Sequence, residues 1–503
     1  MRNSSMTAST IETKHDLSAE PQDTWGALIG GRWKTAGPSI SVRSPFDDAV
    51  IAKVRFGTAS EIEEAISVAV QSFEATRHLP SWRRAEILER VSSMIREDRE
   101  DFARTIALEA GKPIRSARIE VDRAIFTFKI AAEEAKRIYG EIVPLDWLPG
   151  AEACVAHIRR VPRGPVVGIS PFNFPLNLVA HKVAPALAAG NPIILRPASQ
   201  TPVSALKLGK IIVAAGWPPA AISVIPSAVK DASQLVEDER IKFLTFTGSA
   251  EVGWSLKKRA GSKPVTLELG GNAATIVHRD AAVSHAAARV AWGSFTFSGQ
   301  TCISVQRVYV HADIYSEFKK HLLPEVQKLK VGNPLDEETD IGPVIDLAAA
   351  ERIETWLREA TDEGAKIATG GTHRGNLWEP TIVESVSESM KVSCKEVFGP
   401  VVCLYQYTDV REALDRANHS DFGLQAGLFT ESLELVERAF DQLDVGGLVV
   451  NDVSTFRMDH MPYGGVKQSG LGREGLRYAI QEMTEAKLLA VNHAVSHATE
   501  PAN

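Results

Sequence analysis

Between residues 165 and 269, short apolar runs alternate with segments of helical periodicity, and this alternation constrains the fold more than any other feature. Strands that alternate with helices form right-handed βαβ units, so the sequence predicts an α/β fold with a mostly parallel sheet. The predicted strands are Pro165 to Ile169, Pro192 to Leu195, Ile222 to Ile225, Phe243 to Phe246 and Val265 to Leu269. Ligands of such sheets bind beyond the carboxyl ends of the strands. The candidate site residues at these ends are Asn173, Arg196, Gly248 and Glu268.

Helices precede this region and a second alternating region follows it. Ser60 is expected to open a helix through a capping box with Glu63, and Gly111 is expected to end another helix. From 273 to 451, apolar runs again alternate with helical segments, which predicts a second α/β domain. Because Cys302 lies in this second region, we expect the site to lie between the two domains.

The composition of the 503 residues is that of an ordinary soluble protein. Charged residues make up 24% of the chain, the formal net charge is -7, and no basic stripe occurs, so we expect no nucleic-acid partner. No apolar run reaches the roughly 18 residues of a membrane span, and the first 25 residues lack the apolar centre of a signal peptide. We therefore expect a cytoplasmic protein with no membrane association that acts on small molecules.

Cysteine and histidine spacing indicates neither disulfides nor a metal site. The four cysteines, at 154, 302, 394 and 403, include no Cys-x-x-Cys pair, which fits a reducing compartment. Cys154 and Cys403 lie in predicted strands and are expected to pack there. His493 and His497 have helical spacing but no third ligand, so we expect surface histidines and no bound metal.

Cys302 follows a Ser-Gly turn in the segment 298–304, where a cysteine can be exposed in a cleft and its thiolate can attack an electrophile. A solitary intracellular cysteine is more often a small buried hydrophobe. Glu268 favours the first interpretation, because it is a carboxylate set between leucines in a strand-like run upstream. A thioester-forming enzyme needs such a base.

Asn173 lies between aromatic residues and prolines in the segment 169–175, directly after a predicted strand. An asparagine there could merely satisfy the local backbone. A rigidly held amide N–H near a nucleophile is also what an oxyanion hole needs, and one such donor lowers a barrier by about 3 kcal/mol.

Two glycine-containing segments are candidates for phosphate binding. At 246–253 a strand enters a helix through Gly248 and Ser249, and Ser249 can cap the helix, whose N-terminus favours an anion. The segment 470–475 matches G-x-G-x-x-G, but it follows a Gly-rich loop and only 28 residues remain after it. We therefore predict that 470–475 is a turn and that 246–253 binds the phosphate.

Five segments together resemble, in order, the motifs of the aldehyde dehydrogenase superfamily over about residues 25 to 492. They are PFNFP at 171–175, FTGS at 246–249, LELGG at 267–271, GQTC at 299–302 and EVFGP at 396–400. The resemblance implies an aldehyde dehydrogenase fold with a Rossmann-like cofactor-binding domain, a catalytic domain and a small β oligomerisation element. The cofactor-binding domain would comprise residues 25–140 and 163–270, and the catalytic domain residues 271–467. The oligomerisation element would comprise residues 141–162 and 468–492. A disordered tail is expected over 1–24 and a second tail over 493–503.

The resemblance also implies roles for matching residues. Cys302 would be the nucleophile, and Glu268 would be the base for hydrolysis. Asn173 and the Cys302 backbone N–H would form the oxyanion hole. Ser249 would contact the pyrophosphate of the cofactor. Glu396 would contact the nicotinamide ribose, and Phe398 would pack beside the nicotinamide. The implied cofactor-binding residues are Ser170, Pro171, Phe172, Arg196, Ser199, Gly248, Ser249, Leu269, Glu396 and Phe398. The implied activity is oxidation of an aldehyde to its acid by a homo-oligomer, a dimer or a tetramer, through a cysteine thiohemiacetal and a thioester.

Two positions leave the cofactor open between NAD and NADP. The superfamily usually has Lys where this chain has Arg196, and many NAD-specific members have Glu where it has Ser199. A carboxylate at that place would bind the ribose hydroxyls and repel a 2′-phosphate, whereas serine and arginine would not.

The expected substrate pocket is small and polar. His181 stands where a bulky aromatic residue often sits, and Thr296 replaces a common Phe. The expected substrate contacts are Phe174, His181, Thr296, Thr301, Ile303, Arg457, His460 and Tyr463. This set favours a short hydroxylated or anionic aldehyde, and the 457–465 loop is similar to that of lactaldehyde, glycolaldehyde, semialdehyde and phosphonoacetaldehyde dehydrogenases. In the alternative interpretation, Arg457 and His460 only hold the loop in place through Asp459.

Three rival functions remain. A CoA-acylating dehydrogenase would transfer the acyl group to CoA, and Glu268 argues against it because hydrolytic members need that base. A catalytically silent structural or binding homologue could lose the nucleophile or the base, and this chain keeps both. A cysteine hydrolase is disfavoured because no histidine lies in a motif that would activate Cys302.

Overall fold

The computed structural model describes residues 24–494, and residues 1–23 and 495–503, most of the two predicted tails, lie outside the described residues. Strands and helices are numbered here in chain order. The strands are β1 (Thr24–Trp25), β2 (Ala27–Ile29), β3 (Arg32–Lys34), β4 (Ser39–Arg43), β5 (Val50–Arg55), β6 (Glu141–Pro144), β7 (Cys154–Pro162), β8 (Val166–Ile169), β9 (Ile193–Arg196), β10 (Ile222–Val224), β11 (Phe243–Thr247), β12 (Val265–Glu268), β13 (Ala273–Val277), β14 (Val305–His311), β15 (Lys366–Thr369), β16 (His373–Arg374), β17 (Leu377–Trp378), β18 (Thr381–Glu384), β19 (Val401–Tyr407), β20 (Phe422–Gly423), β21 (Gln425–Phe429), β22 (Gly447–Val450), β23 (Val466–Lys467), β24 (Gly470–Leu471) and β25 (Thr484–Asn492). The helices are α1 (Ala59–Arg77), α2 (Ser81–Glu97), α3 (Arg99–Ala110), α4 (Ile114–Ala135), α5 (Asn177–Ala189), α6 (Val203–Ala214), α7 (Ser233–Glu237), α8 (Ala250–Arg259), α9 (Val283–Phe295), α10 (Tyr315–Gln327), α11 (Leu347–Asp362), α12 (Lys391–Cys394), α13 (Val410–Asn418), α14 (Leu433–Gln442) and α15 (Leu476–Glu482).

The predicted parallel sheet is present, and all five predicted strands are in it. Its eight strands have the order β24-β12-β11-β8-β9-β10-β2-β3. Strands β8 to β12 pair in parallel, while β2, β3 and β24 pair antiparallel at the two edges. In the strand order, β9 and β10 lie on one side of β8, and β11 and β12 lie on its other side. The strand order therefore reverses between β8 and β11, which makes this the topological switch point.

Helices cover this sheet, and their ends follow local sequence with one exception. Helix α3 ends at Gly111, which has a left-handed φ of +69°, as predicted. The capping box of α1 is formed by Thr58 and Glu61, whose carboxylate accepts the Thr58 N–H at 2.9 Å. The predicted box of Ser60 and Glu63 was wrong: both pairs fit the same sequence pattern, and a salt bridge from Arg55 holds Glu61 at the helix end.

The second α/β domain is also confirmed as an element of the fold. Its sheet has the order β15-β18-β19-β14-β13-β21-β22, with every pair parallel except β15 and β18. Cys302 precedes β14 at the centre of this sheet, and Cys403 is buried in the neighbouring strand β19. Within residues 24–494, no helix is both long and apolar enough to cross a membrane.

The C-terminal segment divides between two sheets. Gly470 and Leu471 form β24, which pairs with β12, and Gly472 and Gly475 have positive φ angles of +78° and +94°. The first two residues of the G-x-G-x-x-G match therefore form an edge strand, and only residues 472–475 form the predicted turn. Helix α15 packs against α5. Of the segment 468–492, only β25 joins the antiparallel sheet β25-β7-β6, because the preceding residues complete the edge of the first sheet.

The β25-β7-β6 sheet exposes apolar side chains on both faces. Leu488 and Leu489 are consecutive in β25 and therefore point to opposite faces, yet they are 61% and 59% exposed. Ile142 in β6 and Trp147 after it are 69% and 85% exposed. Exposed apolar surface of this kind marks an interaction site.

We expect this sheet to mediate self-association. The double variant Leu488→Lys, Leu489→Lys should lower the molar mass measured by light scattering towards that of a single chain, because burying two lysines at an apolar contact is unfavourable. Leu433→Lys, at a position 78% exposed on α14, is the matched control and should leave the mass unchanged. An unaltered oligomer in the double variant, or a monomeric parent protein, would contradict this expectation.

Candidate active site

A cavity of about 250 Å³ lies where the carboxyl ends of the first sheet meet the loop that carries Cys302. Asn173 reaches its wall from the loop after β8, Thr247 from the end of β11 and Glu268 from the end of β12. Cys302 reaches it from the second domain. The three residues expected to perform the chemistry thus line one cavity.

The turn before Cys302 has a strained backbone. Phe297, Ser298 and Gly299 have successive positive φ angles of +48°, +57° and +68°. Such angles are unfavourable for residues with a side chain, and they persist where surrounding contacts fix them. Ser298 supplies one of these contacts by donating a 2.7 Å hydrogen bond from its Oγ to the carbonyl of Gly342.

The Leu-Glu-Leu-Gly-Gly sequence allows a close backbone approach to the nucleophile. A Cβ atom on Gly271 would lie 2.1 Å from the carbonyl oxygen of Cys302, so only glycine fits there. The Gly271 N–H donates a 2.8 Å hydrogen bond to Glu396, and burial raises the pKa of Glu396 to about 7. Gly271 therefore joins the end of β12 both to the cysteine loop and to Glu396.

The thiol of Cys302 is in a protonated state near neutral pH. Its Sγ lies 3.0 Å from the Oη of Tyr463, and burial raises the pKa of the thiol to about 12. Only the thiolate is an effective nucleophile. A nucleophilic role for Cys302 would therefore require removal of this proton.

Glu268 is suited to accept a proton. Its side chain is buried, and neither carboxyl oxygen has a hydrogen-bond partner within the described chain. Burial, with a smaller contribution from the negative charge of Glu474, raises the pKa of Glu268 well above its usual range. A carboxyl group in this environment can act as a base near neutral pH.

Asn173 has the geometry of an oxyanion-hole donor. Its Nδ2 donates a 2.9 Å hydrogen bond to the carbonyl of Gln300, which fixes the plane of the amide. An amide nitrogen carries two hydrogens, so the second N–H remains for an oxyanion in the cavity. The Oδ1 atom has no partner among the described residues.

A buried group of charges lies next to the cavity. Glu474 pairs with Lys182 at 3.3 Å and with Arg457 at 2.9 Å, and Lys182 also donates to Thr247 at 2.6 Å. Burial would raise the pKa of Glu474, but Lys182 and the other nearby cations outweigh it and lower the value to about 2. The guanidinium of Arg457 lies 3.7 Å from the centre of the Tyr463 ring. No motif pointed to Lys182 or Glu474, although a lysine inside the mostly apolar helix α5 was a usable signal.

The two histidines expected to contact the substrate do not line the cavity. His181 is buried and donates from Nε2 to Asp459 at 2.8 Å, while His460 is exposed and packs edge-on against Phe126. Asp459 also accepts two hydrogen bonds from Arg123, at 2.7 and 3.0 Å. Asp459 therefore holds its loop in place, but through His181 and Arg123 instead of Arg457 and His460.

The other expected substrate contacts do line the cavity, together with residues that no motif pointed to. The expected ones are Phe174, Thr296, Thr301, Ile303, Arg457 and Tyr463. The missed ones include Lys112, Glu120 and Arg123, from α4 and the turn before it. Lys112 forms a buried ion pair with Glu120 and lies 3.6 Å from the centre of the Phe174 ring. These residues are far from Cys302 in sequence, so only the packing of α4 brings them to the site.

The expected cofactor residues near β8 and β9 include unpaired polar atoms. Ser170 follows β8 and Arg196 ends the neighbouring strand β9. The Ser170 Oγ and the Arg196 Nε are buried without a partner in the described structure. Arg196 also donates to the carbonyl of Ser227 at 2.9 Å. Ser199 is half-buried and borders a second cleft lined by residues 40–48 and 345–348. A hydroxyl and a guanidinium with spare donors suit the hydroxyl or phosphate groups of a nucleotide.

The remaining cofactor residues surround the start of helix α8 and the Glu396 loop. Gly248 and the exposed Ser249 precede α8, whose N-terminus favours an anion, and the buried Leu269 packs against that helix at Gly253. Pro171 and Phe172 follow Ser170. The Phe172 ring lies 5.8 Å from the ring of Phe398, a residue with a positive φ of +47°. This set of donors and rings fits a dinucleotide.

Comparison with known proteins agrees with this geometry. The model of the Aldehyde dehydrogenase family matches residues 33–489. The 3-sulfolactaldehyde dehydrogenase of Priestia aryabhattai is 45% identical over 469 residues, which cover 93% of this chain and 98% of that protein. Aldehyde dehydrogenase 21 from Physcomitrella patens, solved in complex with the reaction product succinate, superposes with a TM-score of 0.93 at 42% identity and covers 95% of this chain and 100% of its own. The glyceraldehyde-3-phosphate dehydrogenase GapN of Methanocaldococcus jannaschii, solved in complex with NADP, superposes with a TM-score of 0.87 at 39% identity. The match covers 91% of this chain and 100% of that protein. The chain belongs to the aldehyde dehydrogenase family.

Proposed function

We propose that this enzyme oxidises a short, anionic aldehyde to its carboxylic acid with NAD or NADP, and that Cys302 is the nucleophile. The observation that carries the proposal is that the Cys302 thiol, the unpaired carboxyl of Glu268 and the Asn173 amide line one small cavity at the switch point of the sheet. A thiol, a base and an oxyanion donor are the three groups that acyl chemistry at a cysteine requires.

The first step adds the sulfur to the aldehyde. The thiol proton passes to Glu268 through water, and the thiolate forms a C–S bond with the carbonyl carbon. The carbonyl oxygen becomes an oxyanion, which accepts hydrogen bonds from the second N–H of Asn173 and from the Cys302 backbone N–H. A nicotinamide held by the cofactor residues would accept the hydride released as the oxyanion collapses, and this would leave a thioester on Cys302.

The second step releases the acid. Glu268, once deprotonated, removes a proton from water, and the resulting hydroxide attacks the thioester carbon. The C–S bond breaks, and the thiolate leaves the acid product. The presence of an unpaired buried carboxyl at this place favours hydrolysis over transfer of the acyl group to CoA.

The volume of the cavity and the unpaired polar atoms on its wall support a short polar substrate. The volume of about 250 Å³ is below the roughly 300–1,000 Å³ of pockets that hold drug-sized ligands. Most of the wall is apolar, but four lining side chains have buried polar atoms without a partner within the described chain. They are Asn173, Glu268, Thr301 and Arg457. An alkyl chain would leave these atoms unpaired, at about 1–3 kcal/mol each. A hydroxyl group could donate to the oxygens of Asn173 and Glu268, and a carboxylate could accept from the Thr301 hydroxyl and the Arg457 Nε.

Cationic side chains on the cavity wall support an anionic substrate. Arg457 has a buried Nε without a partner within the described chain. The half-exposed Arg123 holds Asp459 with its Nε and one terminal nitrogen, and it also lines the cavity. Both guanidinium groups are placed to contact a substrate carboxylate or sulfonate.

Glu268→Gln should separate the two steps. The variant should reduce up to about one cofactor per site and then stop as a thioester, because it lacks the base for hydrolysis. In the parent enzyme, hydrolysis should speed up with rising pH as Glu268 loses its proton, and this dependence should vanish in the variant. Stopped-flow absorbance and intact-protein mass spectrometry measure both effects.

Cys302→Ala is the control for this experiment. It should abolish oxidation and leave cofactor binding intact, since Cys302 is not among the expected cofactor-binding residues. Full turnover by Glu268→Gln, or a burst without an acyl adduct, would remove Glu268 from the proposed role. Retained oxidation by Cys302→Ala would overturn the proposal itself.

Both cofactors should support activity, because no carboxylate occupies position 199 and Arg196 has a spare donor for a 2′-phosphate. Ser199→Glu should raise the KM for NADP much more than that for NAD, since the new charge repels the phosphate. Initial rates with each cofactor give the comparison. Equal losses for both would show that position 199 faces the neighbouring cleft and not the ribose.

Arg123→Gln should raise the KM for an anionic aldehyde such as succinic semialdehyde by roughly tenfold or more, as expected for loss of a charge-assisted contact of about 1.5–3 kcal/mol. The KM for propanal should change little. Arg118→Gln is the matched control, because Arg118 lies on the same helix but pairs with Glu337 at the surface. A screen in which hexanal or benzaldehyde has a far higher kcat/KM than every short polar aldehyde would contradict the proposed substrate class.

A further inference from the structure

We infer that the Tyr463 hydroxyl donates a hydrogen bond to the Cys302 thiolate and thereby stabilises the nucleophile. This inference rests on the proposed role of Cys302. It assigns Tyr463 a role towards the reacting sulfur, beyond the substrate contact expected from the sequence.

The first support is the contact itself. The Oη of Tyr463 lies 3.0 Å from the Sγ of Cys302, which is within hydrogen-bond distance for sulfur. Tyr463 is 3% exposed, and its ring packs with Ile303 and Leu424 in a small apolar cluster against which Cys302 also packs. A buried phenol hydroxyl usually has a partner. Among the described residues, the Cys302 sulfur is the partner that the structure gives it.

The second support is the position of Arg457. Its guanidinium lies 3.7 Å from the centre of the Tyr463 ring, and Glu474 holds it there at 2.9 Å. A cation against the ring face draws electron density from the phenol, which makes its O–H a better donor. The same cation favours the thiolate directly, since it is the positive charge among the groups that face Cys302.

The charges around Cys302 show why a donor is needed. Burial opposes ionisation of the thiol most, and the carboxyl groups of Glu396 and Glu268 add to this effect. The hydrogen bond from Tyr463 and the charge of Arg457 act in the opposite direction. Tyr463 and Arg457 thus offset part of the effect of burial and of the two carboxyl groups.

The hydrogen bond between Tyr463 and Cys302 could run in either of two directions, and the two directions have opposite effects on the thiol pKa. If the S–H of Cys302 donates to the Tyr463 oxygen, the tyrosine stabilises the protonated thiol, and its removal would ease ionisation. If the O–H donates to the thiolate, its removal would hinder ionisation. The pH dependence of thiol alkylation distinguishes the two cases, because only the thiolate reacts.

The test is the rate of alkylation of Cys302 by iodoacetamide between pH 6 and 10 in the full-length enzyme and in Tyr463→Phe. Tyr463→Phe removes one oxygen and keeps the ring. We expect the rate to fall roughly tenfold at each pH in this range, which lies below the pKa of the thiol; a fall of this size corresponds to a rise in that pKa of about one unit. Peptide mass spectrometry assigns the modification to Cys302, with Cys302→Ala as the background for the other cysteines.

Tyr315→Phe is the matched control, because it also removes a phenol hydroxyl bonded to an acidic group, Glu384 at 2.7 Å, but on helix α10. It should leave the alkylation profile unchanged. An unchanged or higher alkylation rate in Tyr463→Phe would overturn the inference. Failure of the proposed function is distinguishable, since it would appear as dehydrogenase activity in Cys302→Ala whatever the alkylation profile of Tyr463→Phe.

Discussion

The buried ion pairs of Glu474 are the interaction on which the site depends. This carboxylate, from the turn before α15, meets Lys182 of helix α5 and Arg457 of the 457–465 loop. Three segments that are distant in sequence therefore meet at one charge. Such a group is stable only when every member is present, since removal of one partner of a buried pair costs about 3–5 kcal/mol. The arrangement places Lys182 beneath Thr247 and Arg457 beneath Tyr463, on two sides of the catalytic cavity.

Burial acts on the two reacting groups in the same direction but with different consequences. It raises the pKa of the Cys302 thiol to about 12, which keeps the nucleophile protonated, and it raises the pKa of Glu268, which makes that carboxyl a stronger base. The raised pKa of the thiol opposes proton transfer to the carboxylate, and the raised pKa of Glu268 favours it. The hydrogen bond from Tyr463 and the charge of Arg457 both favour the thiolate.

Backbone geometry, in addition to side-chain contacts, positions Cys302 in the site. The positive φ angles of Phe297 and Ser298 turn the chain so that Cys302 faces the cavity, and Gly271 lets the end of β12 approach within contact of the cysteine carbonyl. The same Gly271 orients Glu396 through its N–H. The strained turn at Phe297 and Ser298 and the absence of a side chain at Gly271 thus set the distances between Cys302, Glu268 and Glu396.

The sequence by itself determined the parallel sheet and predicted that Cys302, Glu268 and Asn173 meet at its carboxyl edge, because strand periodicity and short motifs are local properties. It also predicted the turn over the second part of the G-x-G-x-x-G match, but not the edge strand that Gly470 and Leu471 form. It did not determine the register of the first capping box, since Thr58 and Ser60 offer the same local pattern and a distant arginine selects between them. Only the tertiary structure decided that His181 and His460 face away from the cavity and that Lys112, Glu120 and Arg123 line it. Those positions depend on how α4 and α5 pack around the Asp459 loop, and the pairing of buried charges across that packing has no local signature in the chain.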